Sequence, residues 1–375
     1  MAKTKKTAVI IGFGSAARGW YREIKKNPSL ELIGIVDTDT ELLENLGKMV
    51  PELDEDQGYI SIEDAVRYGE KPDLAVVVTP IPTHAGLVKE TMDLGINVIV
   101  EKNMASTVPQ GRQLVQYAID NPELCTAVGT QYRFMQPVWT AHEYFASGRA
   151  EETIGELGMI VWEDYGWRGN KRWKWRRFLQ DIYLEDMSVH WFDSMRFITG
   201  MDIVQVKADT FMPRYSNWHG SSSVFANLAL AKPEDYNDRH KWVWCHFAGD
   251  WQRGPMNSDF EGRREFYGKK GFAKGTLFGV EINIYKDMTN ISKDFEQDAF
   301  LSLDAGPIAG LEGNIADRGV ILEQMVRGID SGGEKQPDTN FKEAFKSFAV
   351  AMACRDSSLS GNTIWVPDYW KNMLD

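Results

Sequence analysis

Two short stretches of this chain hold residues whose types and spacing suit proton chemistry. In Leu184-Glu-Asp-Met-Ser-Val-His-Trp-Phe-Asp193, Asp186 stands four residues before His190. On a helix, positions i and i+4 share one face. Asp186 can therefore hold the imidazole in one tautomer and stabilise its charged form, leaving the other ring nitrogen to take a proton. A purely structural contact between the two is the alternative. The second stretch, Glu101-Lys-Asn-Met-Ala105, follows the apolar run Asn97–Val100. A lysine at the carboxyl end of a strand can hydrogen-bond a hydroxyl and favour its alkoxide, or it can be a solvated loop charge.

A third motif names a ligand class. Gly12-Phe-Gly-Ser-Ala-Ala17 follows the apolar run Thr7–Ile11 and opens a helical pattern over Ser15–Lys26. This is the dinucleotide fingerprint with alanine at its third glycine position. Gly12 permits the tight turn, Gly14 lets a pyrophosphate approach the backbone, and Ala17 is small enough for the helix to pack on a sheet. The helix amino terminus supplies N–H donors and the positive end of a dipole. Asp37 lies 23 residues after Gly14, at the end of the run Leu30–Val36. A carboxylate there accepts hydrogen bonds from the ribose hydroxyls and repels a 2′-phosphate. No Arg or Lys occurs in Thr38-Asp-Thr-Glu41, so NAD is expected as cofactor rather than NADP. The alternative task for Asp37 is to cap the next helix.

The elements that must position these residues alternate at short intervals. Apolar runs at Thr7–Ile11, Leu30–Val36, Leu74–Thr79 and Asn97–Val100 are separated by helical patterns at Ser15–Lys26, Ile62–Tyr68 and Thr83–Leu94, with a further helix opening at Thr107. Non-alternating apolar strands between helices predict a parallel sheet covered on both faces. Ligands of such sheets bind at the carboxyl ends of the strands, where Thr79-Pro-Ile-Pro-Thr-His84 and Glu101-Lys102 fall. After about residue 131 the rhythm changes. A helix Leu184–Thr199 is followed by strand patterns at Ile203–Phe211, Ser223–Ala231, Lys241–Trp251, Arg264–Tyr267 and Thr276–Tyr285. The expected fold is α/β: a Rossmann doubly wound parallel sheet over 1–130, then an α+β domain over 131–375 with a large open, mostly antiparallel sheet.

Composition narrows the partners. The 375 residues carry a formal net charge of −12, which opposes nucleic acid as a general partner. No apolar run reaches the roughly 18–20 residues that span a bilayer, so no membrane is expected. The basic start Met1-Ala-Lys-Thr-Lys-Lys6 leads into glycines after a short apolar run and is read as no targeting segment. Cys125, Cys245 and Cys354 are far apart, odd in number and lack ligand spacing, which suits a reduced, cytoplasmic chain with no metal. Nine of the 13 tryptophans fall between Trp162 and Trp251; they are either an aromatic core or flat surfaces for stacking on a sugar. Six of the ten residues from Arg168 to Arg177 are basic, interleaved with tryptophans. A solvated or interface loop is one reading of that segment. The other is a pocket wall in which tryptophan stacks on a sugar while arginine forks grip a carboxylate, sulfonate or phosphate.

Taken together, the chain resembles the glucose–fructose oxidoreductase, inositol dehydrogenase and rhizopine-catabolism family. The resemblance rests on the amino-terminal fingerprint, Thr79-Pro80 with His84, Glu101-Lys102, and Gly129 with Arg133-Phe134. It continues through Gly155-Glu-Leu-Gly158, the Asp186, His190 and Asp193 helix, and the Phe341, Ser358, Gly361 and Val366-Pro367 pattern. It implies a Rossmann domain, a substrate domain that pairs through its open sheet into homodimers or homotetramers, and hydride chemistry on sugars or polyols. It implies Lys102, Asp186 and His190 as catalytic residues. It implies Gly12, Phe13, Gly14, Ser15, Ala16, Ala17, Asp37, Thr38, Thr79, Pro80, His84, Glu101 and Lys102 around NAD. Substrate would then meet Arg133, Arg168, Lys171, Trp173, Lys174, Trp175 and His190. The family usually has proline after the lysine, where this chain has Asn103, and a common glycine where it has Ser188.

The expected activity is therefore NAD-dependent oxidation of a secondary hydroxyl of a sugar, glycoside or cyclitol, with an anionic sugar suiting the basic segment. One alternative is a glycoside hydrolase that recycles its NAD through oxidation, elimination, hydration and reduction, for example on a sulfoquinovoside. A second is a non-catalytic NAD-sensing regulator, against which the full Lys, Asp and His set argues.

Overall fold

Apolar runs in the amino-terminal third become parallel strands because both of their faces are covered. The computed structural model describes residues 5–166, 174–252, 262–275, 279–285, 297–304 and 317–374. Its first sheet contains β1 (Lys6–Ile11), β2 (Leu30–Val36), β3 (Gly58–Tyr59), β4 (Leu74–Val77), β5 (Asn97–Val100) and β6 (Thr126–Val128). The order is β3-β2-β1-β4-β5-β6 with every pair parallel, the doubly wound Rossmann arrangement. All four side chains of β4 are buried. The helix Ala17–Lys26 buries Ala17, Trp20 and Ile24, a stripe at i, i+3 and i+7 that seats it against the sheet. Side-chain caps start two other helices where the sequence predicts them: Ser61 accepts from the Asp64 amide at 3.0 Å, and Thr107 from the Gln110 amide at 3.4 Å.

This first unit also recruits distant chain. Its described residues lie within Met1–Gln131, Gly313–Phe345 and Asn372–Asp375, and those of the second unit within Tyr132–Glu312 and Lys346–Lys371. The division is thus more than the single break expected near residue 130. The reason is local bonding around β6: the Val128 amide donates to the Thr339 carbonyl at 2.8 Å, and the Gln336 amide group to the Leu124 carbonyl at 3.1 Å. Gly328, on the helix Asp317–Asp330, passes so close to Cys125 that a Cβ there would lie 2.6 Å from its Sγ.

The second unit is built on nine strands: β7 (Leu157–Tyr165), β8 (Asp202–Phe211), β9 (Ser223–Ala231), β10 (Val243–Asp250), β11 (Arg264–Gly268), β12 (Gly271–Gly275), β13 (Gly279–Tyr285), β14 (Gln297–Asp304) and β15 (Ile364–Trp365). Their order is β14-β13-β12-β11-β7-β10-β9-β8-β15. Only the pair of β10 with β7 is parallel, so the sheet is mixed and mostly antiparallel. The strands β12, β14 and β15 are absent from the sequence reading. The first is bracketed by glycines, which look like turn punctuation, and the last has two residues. On β7 the buried residues Ile160, Trp162 and Asp164 are in register with Cys245, Phe247 and Gly249 of β10, and this face carries the helix Val189–Thr199. Phe192 packs on Phe247 at 4.9 Å between ring centres, and Trp191 on Trp162 at 5.7 Å. Gly200 in the left-handed region ends that helix. Trp162, Trp191, Trp218, Trp242 and Trp251 are all buried, so for these five the aromatic-core reading is the right one. Among the described residues, no helix is long and apolar enough to cross a membrane.

Candidate functional site

The carboxyl ends of β1, β2, β4 and β5 gather the first set of expected residues. Gly12 turns the chain with φ +86°, and a Cβ there would lie 2.7 Å from the Thr79 Cγ2. Above Gly14 a Cβ would meet nothing within 4 Å, so space is open over that backbone. No side chain caps the helix Ala17–Lys26, which leaves its first amides for an anion. The Asp37 carboxylate accepts from the Phe13 amide at 2.7 Å and from the Asp39 amide at 3.0 Å. Asp39, not Asp37, caps the next helix. Asp37 is therefore a fixed acceptor beside the glycine turn, with lone pairs left for vicinal hydroxyls. An open cradle, an uncapped helix start and a fixed carboxylate fit an NAD molecule.

Two residues expected at the cofactor have other work. His84 is buried, and its ring lies between the Asn103 carbonyl at 2.6 Å from Nδ1 and the Thr79 carbonyl at 2.7 Å from Nε2. Burial pushes its pKa below the ordinary histidine value, although both carbonyls pull the other way. His84 thus ties the loop after β4 to the loop after β5. Glu101 is buried as well. It accepts from Trp20 Nε1 at 2.8 Å and Arg318 Nη2 at 3.4 Å, and its other oxygen from the Lys102 amide at 3.3 Å. The carboxylate anchors the segment that presents Lys102, which is partly exposed and joined to Asn103 by a cis peptide. Thr79 Oγ1 accepts from Thr83 Oγ1 at 2.7 Å, and Pro80 precedes the helix Ile81–Asp93.

The second unit holds the other expected set. The helix carrying Asp186 and His190 begins as a π-turn, Leu184–Ser188, and continues as α-helix from Val189. Such turns are rare and concentrate at functional sites. Both side chains are 3% exposed. The Asp186 carboxylate accepts from Arg176 Nε at 2.7 Å, and the His190 ring stacks on Tyr132 at 4.0 Å with 9° between planes. Arg176 itself lies over the Trp175 ring at 4.6 Å.

A buried polar chain braces the same helix. Arg133 donates to Asp193 through Nε at 2.6 Å and Nη2 at 2.8 Å, and Ser347 joins Asp193 to Arg196 at 3.0 and 2.9 Å. Arg196 then forks onto Asp202 at 3.0 and 2.7 Å. Burial opposes the charge of Asp202, but Arg196 and Lys346 outweigh it and hold its pKa at about 2. Arg133, expected at the substrate, is corrected to a brace: its fork is filled by Asp193 and it is buried.

Of the basic segment, Arg168, Lys171 and Trp173 lie outside the described residues. Lys174 opens a 3-10 turn, Lys174–Phe178, in which Trp175 is half-buried. Arg176 and Tyr132 were missed by sequence reasoning. Arg176 stood in the basic run ten residues before Asp186, whereas nothing in the sequence marks Tyr132 as a ring partner of His190. Among the described residues, no cluster of His, Cys, Asp and Glu is placed to hold a metal ion.

Comparison with known proteins agrees with the fold. The model of the Gfo/Idh/MocA family, described as an oxidoreductase family with an NAD-binding Rossmann fold, matches residues 6–129. The uncharacterized protein y4oX of Sinorhizobium fredii is 22% identical over 205 residues, covering 54% of this chain and 55% of that protein. Among solved structures, an oxidoreductase from Agrobacterium radiobacter in complex with NAD+, L-tartaric acid and magnesium superposes with a TM-score of 0.77 at 17% identity, covering 97% of this chain and 99% of that one. The aldose-aldose oxidoreductase of Caulobacter crescentus, complexed with glycerol, gives 0.75 at 17% identity over 96% and 99%. The WlbA dehydrogenase of Bordetella pertussis, in complex with NADH and UDP-GlcNAcA, gives 0.72 at 18% identity over 96% and 98%. At these identities the structural likeness speaks for the fold.

Proposed function

Because residues 6–129 of this chain belong to the Gfo/Idh/MocA oxidoreductase family, with its NAD-binding Rossmann fold, we propose that the protein is an NAD-dependent oxidoreductase acting on a secondary hydroxyl of a sugar, glycoside or cyclitol. The observation that carries this reading is the crest of the first sheet, where Gly12–Ala17, Asp37, Thr79-Pro80 and Lys102 follow the ends of adjacent strands. NAD supplies the hydride acceptor.

The chain's own residues then have distinct tasks. Backbone amides of Gly12–Ala17 bind the pyrophosphate, and Asp37 binds the ribose hydroxyls while rejecting a 2′-phosphate. Lys102 donates to the reacting hydroxyl oxygen and favours its alkoxide. His190 takes the hydroxyl proton, and Asp186 stabilises the resulting imidazolium. Preorganised charge of this kind supplies most of the acceleration. Assembly as a homodimer or homotetramer belongs to the same reading and is measured by light scattering.

The test follows two signals together on the purified protein with NAD and a panel of neutral and anionic sugars and their nitrophenyl glycosides. NADH formed in proportion to substrate, with no nitrophenol, is the expected result. Nitrophenol release without NADH accumulation would replace the assignment with redox-assisted hydrolysis. Silence in both signals with NAD still bound would replace it with a regulator.

A further inference from the structure

Three arginines of the second unit have carboxylates to hold. Arg133 has Asp193, Arg196 has Asp202, and Arg355 has Asp181 at 3.0 Å and Glu185 at 2.7 Å. Arg264 differs. Its Nε and Nη2 are shut off from solvent and make no hydrogen bond among the described residues. The nearby Asp164 draws on it electrostatically, and the Asp164 carboxylate accepts from the Tyr183 hydroxyl at 2.7 Å.

Arg264 lies against aromatic rings. It stands on β11 in register with Trp162 of β7. Its guanidinium lies over the Trp191 ring at 4.5 Å and 5.7 Å from the Trp162 ring. A guanidinium stacked on indole keeps its N–H groups in its own plane, aimed past the ring. Trp191 directly follows His190, and Tyr132, which stacks on His190, feels the charge of Arg264. Leaving charged N–H groups buried without a hydrogen-bond partner costs free energy. An anion brought by a ligand offsets that cost and takes it up as affinity.

We propose that Arg264 is the anchor for an anionic group of the substrate, a carboxylate, sulfonate or phosphate carried by the molecule whose hydroxyl reacts beside His190. Burial pushes the pKa of Arg264 below the ordinary arginine value, against the pull of Asp164, Tyr183 and Tyr132. The inference rests on the proposed function only in calling the ligand a substrate; the anchor itself is tested by binding.

The probes are D-glucose, D-glucuronate, glucose 6-sulfonate and glucose 6-phosphate, titrated calorimetrically into the NAD-loaded protein. At least one anionic sugar should bind tenfold or more tightly than glucose, and inorganic sulfate should compete with it. Arg264→Met should abolish that preference, Arg264→Lys should keep part of it, and NAD affinity should stay unchanged in both. Equal binding of glucose and all three anions by the wild type overturns the proposal. So does an anionic preference that survives in Arg264→Met, or, if that variant fails to fold, one that survives undiminished in Arg264→Lys and ignores sulfate. A preference found without any NADH production leaves the anchor standing and removes the oxidoreductase reading instead.

Discussion

Arg176 donates from Nε to Oδ2 of Asp186 at 2.7 Å, and the carboxylate that receives it is 3% exposed. The carboxylate that the sequence pairs with His190 thus has a cation from the preceding turn. Removing that cation raises the pKa of Asp186, which loses the positive neighbour that favours its ionised form. Arg176→Ala should therefore lower kcat at least tenfold and move the acid limb of the kcat/KM pH profile to higher pH. Arg176→Lys should restore much of the profile. An unchanged acid limb in the alanine variant would sink the idea that Arg176 tunes this pair.

Lys102 and His190 carry the proton chemistry in the proposed function, and neither is part of the glycine cradle. Lys102→Ala and His190→Ala should each lower turnover by several orders of magnitude with NAD affinity within a few-fold of wild type. Calorimetric titration of NAD alongside steady-state kinetics checks both halves. Near wild-type turnover in either variant would remove that residue from the mechanism.

The two glycines of the turn make opposite predictions. Gly12 has φ +86° and a neighbour 2.7 Å from where its Cβ would stand, whereas a Cβ on Gly14 would meet nothing within 4 Å. Gly12→Ala should destabilise the protein measurably, through strain and collision with Thr79. Gly14→Ala should leave the melting temperature nearly unchanged yet weaken NAD tenfold or more, because the methyl group fills space a pyrophosphate needs. Comparing melting temperature with NAD affinity in the two variants separates fold from site.

Arg133 and Asp193 form a buried, twofold hydrogen-bonded pair under the helix of His190. Removing one partner leaves the other charge buried, at a cost of about 3–5 kcal/mol. Arg133→Ala and Asp193→Ala should each show a loss of that order in urea unfolding. The double variant should lose less than the two added together.

His84 predicts a pH dependence of stability. Its folded-state pKa lies below the ordinary 6.5, so folding favours the neutral ring. The stabilisation is fully present above about pH 6.5 and is lost as pH falls below it, when the unfolded chain takes up a proton the folded chain resists. Between pH 7.5 and 5.5 the wild type should lose more thermal stability than His84→Gln. Equal losses would show that His84 does not contribute to the acid sensitivity.

The doubly wound domain was legible in the sequence because its cues are local. Val36 is followed directly by Asp37, Gly12 and Gly14 lie in one turn, and the strands Leu74–Val77 and Asn97–Val100 are apolar runs bounded by turns or helix starts. A helix of i, i+3, i+7 spacing announces itself in the same way. The Asp186 and His190 spacing was equally visible, since both stand within one helical segment. What the sequence could not state was partnership across distance. That Arg133 serves Asp193, that His84 faces two carbonyls, that Glu101 is held by Trp20 and Arg318, and that Arg264 is stacked on Trp191 with no carboxylate to hold among the described residues depend on strand register and helix packing. A charged side chain looks the same in sequence whether its counter-ion sits next to it or is missing. Only burial, which removes water as the default partner, makes the difference, and burial is a property of the tertiary structure.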